Sequence, residues 1–355
     1  MSLILGLETS CDETSAAVVL DGREVLGHVV ASQHELHAEF GGVVPEVASR
    51  AHLERLRPVL LQTLDEAGLD LSAIDGVAVG NRPGLIGSLL VGVSAAQALS
   101  WSVGVPLIAI DHVRAHLYAG YLGQSEKMGD EPAGLGLVVS GGHTQIYRME
   151  AGEAGRSAMG AAVIGRTIDD AVGEAFDKAA VILGLGFPGG PAVERCAAAG
   201  DAEACDFPVS MLSKESLDFS FSGLKTALLY RVRGRPKTVA GKPVFEREAG
   251  DLAEAERADL AAGFQRAAVA AVVKKLDRAA ERVAEVGRLV VGGGVTANRS
   301  LRSALAGWAE RRGARLVIPE MAYCVDNAAM IAGLAAHRLA AGEVDGLGIG
   351  AVSTS

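Results

Sequence analysis

At 355 residues the chain exceeds what one ordinary core fills, which predicts two domains. Hydrophobic residues make up 49%, with 45 glycines and only 4% aromatics, pointing to an α/β protein of small, closely packed elements and many turns. The 43 acidic residues outnumber 33 basic ones, and a net charge of −10 excludes a global field that draws in nucleic acid, so any such contact needs a local basic patch or a partner.

The start, "MSLILGLETS", has no basic region and enters a strand pattern at once, unlike a signal peptide. "LILGLETS" and "SAAVVLD" read as two strands joined by a small polar turn, and "REVLGHVVAS" as a third. Pro45 suits the first turn of a helix running to about Ala67 and ended by Gly68. Strand "IDGVAV" follows, then a helix over about 84–103 and strand "PLIAI". Residues 83–110 carry no charge and are long enough to span a bilayer, but Gly84, Gly87, Gly92, Gln97, Gly104 and Pro106 interrupt them. A buried helix, a turn and a buried strand are expected instead, in a soluble, membrane-free protein. The second half opens with another hairpin, "GLGLVVSGGHTQIYRM". Helices are expected at about 169–184, 190–199 and 251–286, then strand "RLVVGGG", helix 298–312, strand "RLVIPE" and a last helix over about 326–341. Cys11, Cys196, Cys205 and Cys324 show no C-x-x-C spacing, as expected of reduced thiols in a cytoplasmic protein.

Each half thus opens with strand, tight turn, strand, and then alternates strands with helices. The turns "ETSCDETS" and "SGGHT" are rich in Ser, Thr and Gly, so two such hairpins facing across a cleft would grip phosphate with inward N–H groups and hydroxyls. "VVGGGVTANRS" runs a strand into three glycines and a helix that Asn298 can cap, although it lacks G-x-G-x-x-G. "IDDAVGEAFDKAA" puts Asp170, Glu174 and Asp177 on one helix face, either solvated or placed to accept from ribose hydroxyls. His112 and His116 in "DHVRAH" lie four apart, one face of a helix. A zinc protease would carry Glu after the first His as its base; Val113 stands there. Asp326 in "YCVDNAAM" is either the N-cap of the last helix or a third, oxygen ligand. Two His and one Asp with open positions suit iron or zinc as a Lewis acid.

Ten motifs in this order resemble those of the tRNA N6-adenosine threonylcarbamoyltransferases, the TsaD family: "LGLETSCDETSAAVV", "GGVVPEVASRAH", "GLIGSLLVG", "HVRAH", "VVSGGHTQ", "IDDAVGEAFDKAA", "FPGGP", "DFSFSGLKTAL", "VVGGGVTANRSLR" and "CVDNAAMIA". The resemblance covers nearly the whole chain. It implies an α/β, two-lobed actin/Hsp70/sugar-kinase-like (ASKHA) fold with duplicated βββαβαβα domains and a cleft between lobes. Residues 1–112 would form the first lobe, and 113–355 the second, with a helical insertion over about 165–287 and the last helix returning to the first lobe. It implies transfer of the threonylcarbamoyl group of threonylcarbamoyl-adenylate to N6 of the adenosine just 3′ of the anticodon, releasing AMP. Position by position, His112, His116 and Asp326 match the family's metal ligands, for one divalent ion per subunit, iron(II) favoured over zinc(II). Val138, Val139, Ser140, Gly141 and Gly142 match its hairpin around the substrate, Asp177 and Gly190 its ribose and nucleotide contacts, and Asn298 its nucleotide-side asparagine. The implied partners are tRNA, a TsaB-like paralogue and a TsaE-like ATPase.

This chain departs from the family pattern at Asp111 and Arg114, usually His and an acidic residue, and at Arg82, usually Gly. No residue presents itself as a general base. Rival readings are a metalloprotease, a sugar or acetate kinase, which needs no paired histidines, and an inactive scaffolding paralogue, which would be expected to lose the ligands present here. Arg231, Arg233, Arg235, Lys237, Lys242 and Arg247 predict an exposed basic loop, either merely solvated or a tRNA phosphate contact.

Overall fold

The computed structural model describes residues 1–124, 130–209, 213, 215–239 and 242–354. In the first part of the chain the elements are β1 (Leu3–Glu8), β2 (Glu13–Leu20), β3 (Glu24–Ser32), α1 (His34–Ala38), α2 (Pro45–Ala67), β4 (Gly76–Arg82), α3 (Ile86–Val103), β5 (Leu107–Asp111) and α4 (His112–Tyr118). Next come β6 (Gly134–Val139), β7 (Thr144–Met149), α5 (Ala154–Met159), β8 (Ala162–Arg166), α6 (Val172–Leu183), α7 (Gly189–Ala197) and α8 (Ser222–Arg233). The chain ends with β9 (Lys237–Val239), β10 (Lys242–Val244), α9 (Glu254–Ala280), β11 (Arg288–Gly292), α10 (Arg299–Arg312), β12 (Arg315–Val317) and α11 (Ala328–Ala340).

The first sheet has the order β3-β2-β1-β4-β5 and the second β8-β7-β6-β11-β12. In both, the first two pairings are antiparallel and the last two parallel. The duplication read from the two hairpins is therefore real at the level of strand order. Helix α2 has Pro in its first turn and ends on left-handed Gly68 (φ 65°), as the sequence indicated.

Two helices are exchanged between the lobes. Helix α4 follows the first sheet but packs on β6 and β11, while α11 follows the second sheet and packs on β1, β2 and β4. Gly6 makes the second docking possible, since a Cβ there would stand 2.4 Å from the Ala328 carbonyl oxygen. One buried core joins Ile4 and Ile108 of the first sheet, Val113 and Leu117 of α4, Val138 and Val290 of the second sheet, and Ile331 and Leu334 of α11. The sequence boundary at 112/113 falls at the start of α4, inside this shared core. A second core joins the helical insertion to the second sheet and α10, where Phe176, Phe264, Leu224, Leu289 and Trp308 are buried together.

Several expectations are corrected. Helix α3 is long and apolar enough to cross a membrane, yet it lies on β4 beside α2 with only a third of its length buried. Ile86, Leu90 and Trp101 are 51%, 50% and 76% exposed, so it is not the buried helix expected. Leu53, Leu56, Leu60, Leu90, Val91 and Leu99 line an open groove of about 640 Å³ between α2 and α3. The acidic helix begins only at Val172, because Asp169 and Asp170 are used elsewhere: Asp169 accepts from the Phe221 N–H (2.8 Å), and Asp170 pairs with Lys178 (2.6 Å) and Lys225 (2.9 Å). Helix α11 begins two residues later than expected, with Asn327 as its N-cap accepting from the Met330 N–H (3.0 Å). The basic loop is not a bare patch either. Arg231 and Arg233 stand on α8, β9 pairs with β10, and residues 240 and 241 lie outside the described part. Arg233, Lys237 and Arg247 are paired with Glu248 (3.0 Å), Glu246 (2.6 Å) and Glu256 (3.5 Å), carboxylates that the count of basic residues left out.

Candidate metal centre and cleft

In both sheets the parallel strands end at the lobe junction, the end where open α/β sheets bind ligands. Strand β5 runs directly into α4, whose N-cap Asp111 accepts from the Val113 and Arg114 N–H groups (3.0 and 3.1 Å). The cap fixes the first turn of α4 and so places His112, with His116 one turn on. Their ring centroids are 4.7 Å apart and nearly perpendicular. Because Asn327 caps α11, the Asp326 carboxylate is free to turn towards them. Its Oδ1 lies 3.4 Å from His112 Nε2 and 3.1 Å from His116 Nε2. Of the two roles left open for Asp326, the cap goes to Asn327, and the carboxylate stands beside both histidines.

The donor set fits a divalent ion. The ligand atoms of His112, His116 and Asp326 lie within 4.8 Å of one another. His116 is fully buried; its Nδ1 has no partner and its Nε2 faces only the Asp326 carboxylate at 3.1 Å, an arrangement that suits a metal taking the Nε2 lone pair between them. His112 is held from behind: Glu8 Oε2 is 2.9 Å from its Nδ1, which puts the proton on that nitrogen and turns Nε2 towards the centre. Without an ion, burial opposes the Asp326 charge, but His112 and His116 outweigh it and hold the carboxyl well below the usual range. Burial likewise opposes the His112 charge, yet Asp326 and Glu8 raise it well above an ordinary imidazole.

Glu8 was missed in the sequence, and the only signal was an acidic residue closing an apolar strand. Glu8→Gln should lower metal affinity about 10–100-fold, as loss of a carboxylate behind a ligand histidine usually does. Competition with a chelator reads this directly; an unchanged affinity would remove Glu8 from the site.

The three departures from the family pattern form mutually satisfied contacts. Arg82 Nε is 3.5 Å from Asp111 Oδ2, and the Arg114 guanidinium donates to the carbonyls of Ala158, Met159 and Ala161 at the end of α5. They brace the metal helix without entering the ligand set.

Across the cleft, β6 and β7 are joined by the turn Ser140–Gly141–Gly142–His143. The Ser140 N–H donates to the His143 carbonyl (2.8 Å), so it is spent on the turn; Gly141 and Gly142 are exposed and face open space. Val138 and Val139 are buried on opposite faces of the sheet, leaving only their backbone for a ligand. Burial, with His112 and His116 adding to it, pushes His143 down to about 4, so this turn presents a neutral imidazole near the metal helix. Asp177 accepts from the Gly189 N–H (2.8 Å) at the start of α7, and Gly190 beside it faces open space. Asn298 caps α10 by accepting from the Leu301 N–H (2.9 Å) and donates to Gln265 (2.7 Å), so both ends of its amide are engaged. The glycine run was expected to open the backbone to a ligand. Gly292 and Gly293 instead admit protein, the carbonyls of His116 and Val139, and only Gly294 is open.

A family model described as TsaD, tRNA N6-adenosine threonylcarbamoyltransferase, matches residues 24–333. The chain belongs to the tRNA N6-adenosine threonylcarbamoyltransferase family. A relative of that name from Sorangium cellulosum is 49% identical over 97% of this chain and 94% of its own length. Another from Trichlorobacter lovleyi is 48% identical over 99% and 96%. Among solved structures, T. kodakarensis HypF covers 96% of this chain and 48% of that one, with a TM-score of 0.57 and 14% identity. At that identity the likeness concerns fold alone, the two-lobed sugar-kinase-like architecture expected.

Proposed function

We propose that the chain transfers the threonylcarbamoyl group of threonylcarbamoyl-adenylate to N6 of the adenosine just 3′ of the anticodon, in tRNAs reading codons that begin with A, and releases AMP. The observation that carries this reading is the His112–His116–Asp326 group, assembled by the exchanged helices beside the Ser140–His143 turn in a chain of this family. The donor is a mixed anhydride, already activated, so no ATP is spent on the transfer itself. One divalent ion, iron(II) in preference to zinc(II), fits the donor set and would supply Lewis acidity and a template for the donor's oxygens. The N–H groups of Gly141 and Gly142 are left to bind the donor's anionic part. Asp177 and the open backbone at Gly190 suit the ribose and nucleotide.

Turnover in the cytoplasm is part of the same proposal, with a TsaB-like paralogue and a TsaE-like ATPase as partners. A net charge of −10 and a basic stretch in which Arg233, Lys237 and Arg247 are paired with glutamates equip the chain poorly for holding tRNA alone. The uncovered apolar groove between α2 and α3 supports a protein partner. The test is transfer of label from threonylcarbamoyl-adenylate to unmodified tRNA. Label on adenosine with an equal amount of AMP is expected, slowly for the chain alone and repeatedly once the partners are added. AMP release without labelled adenosine would contradict the transfer, and full multiple turnover by the chain alone would contradict the need for partners.

A further inference from the structure

A second group of ionisable side chains stands at the same end of the first sheet. Strand β2 begins, and β3 ends, beside the carboxyl ends of β1, β4 and β5. This places Asp12, Glu13 and His34 together, with His34 Nε2 lying 3.3 Å from Glu13 Oε1 and 3.6 Å from Asp12 Oδ2. The Asp12 and Glu13 side chains are 12% and 8% exposed, and that of His34 is 38% exposed. The His34 ring meets Phe187 of the second lobe edge-on at 5.8 Å. The charged groups bearing on Glu13 are Asp12, His34 and Asp326, and those bearing on His34 include Asp177. The cluster thus feels the charges of both the metal ligand Asp326 and the ribose-side Asp177, and the metal centre uses none of its members.

Acyl transfer to an exocyclic amine leaves a proton to be removed; the metal centre commits its histidines to the ion, and His143, pushed down to about 4 by burial, is too weak a base to hold the proton near neutral pH. We infer that Glu13 is the proton acceptor for the attacking amine, and that His34 relays the proton from it to solvent. The inference rests on the proposed transferase reading. As the N6–carbonyl bond forms, the bond from that carbon to the phosphate oxygen breaks, and AMP leaves with the electron pair. The N6 proton passes to the Glu13 carboxylate, then to His34 Nε2, while the proton on Nδ1 leaves to water at the half-exposed edge of the ring. Burial, with Asp12 and Asp326 adding to it, raises the Glu13 carboxyl to about 8 against the pull of His34, the range a base needs near neutral pH.

The test is single-turnover transfer by wild type and Glu13→Gln with partners, threonylcarbamoyl-adenylate and unmodified tRNA. The glutamine keeps the shape and an acceptor for His34 but takes no proton. Transfer should fall about 100–10,000-fold, with metal content and adenylate affinity unchanged. Transfer by Glu13→Gln at the wild-type rate would overturn the inference. So would two bound ions in wild type falling to one in the variant, which would make the cluster a cation site. A wild type that forms no modified tRNA would overturn the functional reading instead.

Discussion

His116→Ala should abolish metal binding and acyl transfer while leaving the fold nearly as stable as before. His116 is fully buried, its Nδ1 has no partner and its Nε2 faces the Asp326 carboxylate at 3.1 Å. Deleting a ring whose Nδ1 is buried without a partner removes a cost of roughly 1–3 kcal/mol, which offsets part of the cavity left behind. Affinity for the ion should fall more than about 100-fold, beyond the loss expected at a residue behind a ligand. His112→Ala and Asp326→Ala should lose metal and activity in the same way, because two ligands on α4 and one just before the cap of α11 meet at one point. Metal analysis and thermal melting on the same folded samples separate the two effects. Retained metal in any of the three would refute the ligand assignment.

Gly292→Ala should be nearly as damaging for a different reason. A Cβ there would stand 2.0 Å from the His116 carbonyl oxygen and 3.1 Å from its Cβ. Gly292 ends β11 and is paired with Val138, so neither strand nor helix can yield without loss elsewhere. Overpacking of this kind costs roughly 1–3 kcal/mol, and here the displaced backbone is the turn of α4 that carries a ligand. Melting temperature and metal affinity should fall together, although no ligand is altered. A variant with wild-type melting and wild-type affinity would show that the approach of β11 to α4 does not hold the centre in place.

These cases mark where the sequence is legible. The hairpins, the cap at Pro45 and Gly68, and the His112–His116 spacing are local patterns, and they appear in the structure as read. Glu8 reaches His112 across 104 positions, and Gly292 matters only because α4 crosses β11; neither contact leaves a periodicity to read. Asp326 shows the limit most clearly, because one residue separates a capping carboxylate from a ligand. The cap went to Asn327, whose amide does the same work on the Met330 N–H, and the carboxylate was left to the histidines. The basic stretch was legible only in part for a related reason. Counting Arg and Lys over 231–247 ignored Glu246, Glu248 and Glu256, which the fold brings to them. Arg82 and Asp111, odd when taken singly, are neighbours in register between β4 and β5.

The most direct test of a transferase centred on the exchanged helices is reconstitution. Protein stripped with a chelator is titrated with iron(II) or zinc(II), and threonylcarbamoylated adenosine in tRNA is measured by mass spectrometry at each step. Product should rise in proportion to bound ion and level off at one ion per chain, and His116→Ala should stay at the baseline throughout. Full product formation by the stripped protein, or by His116→Ala, would contradict it.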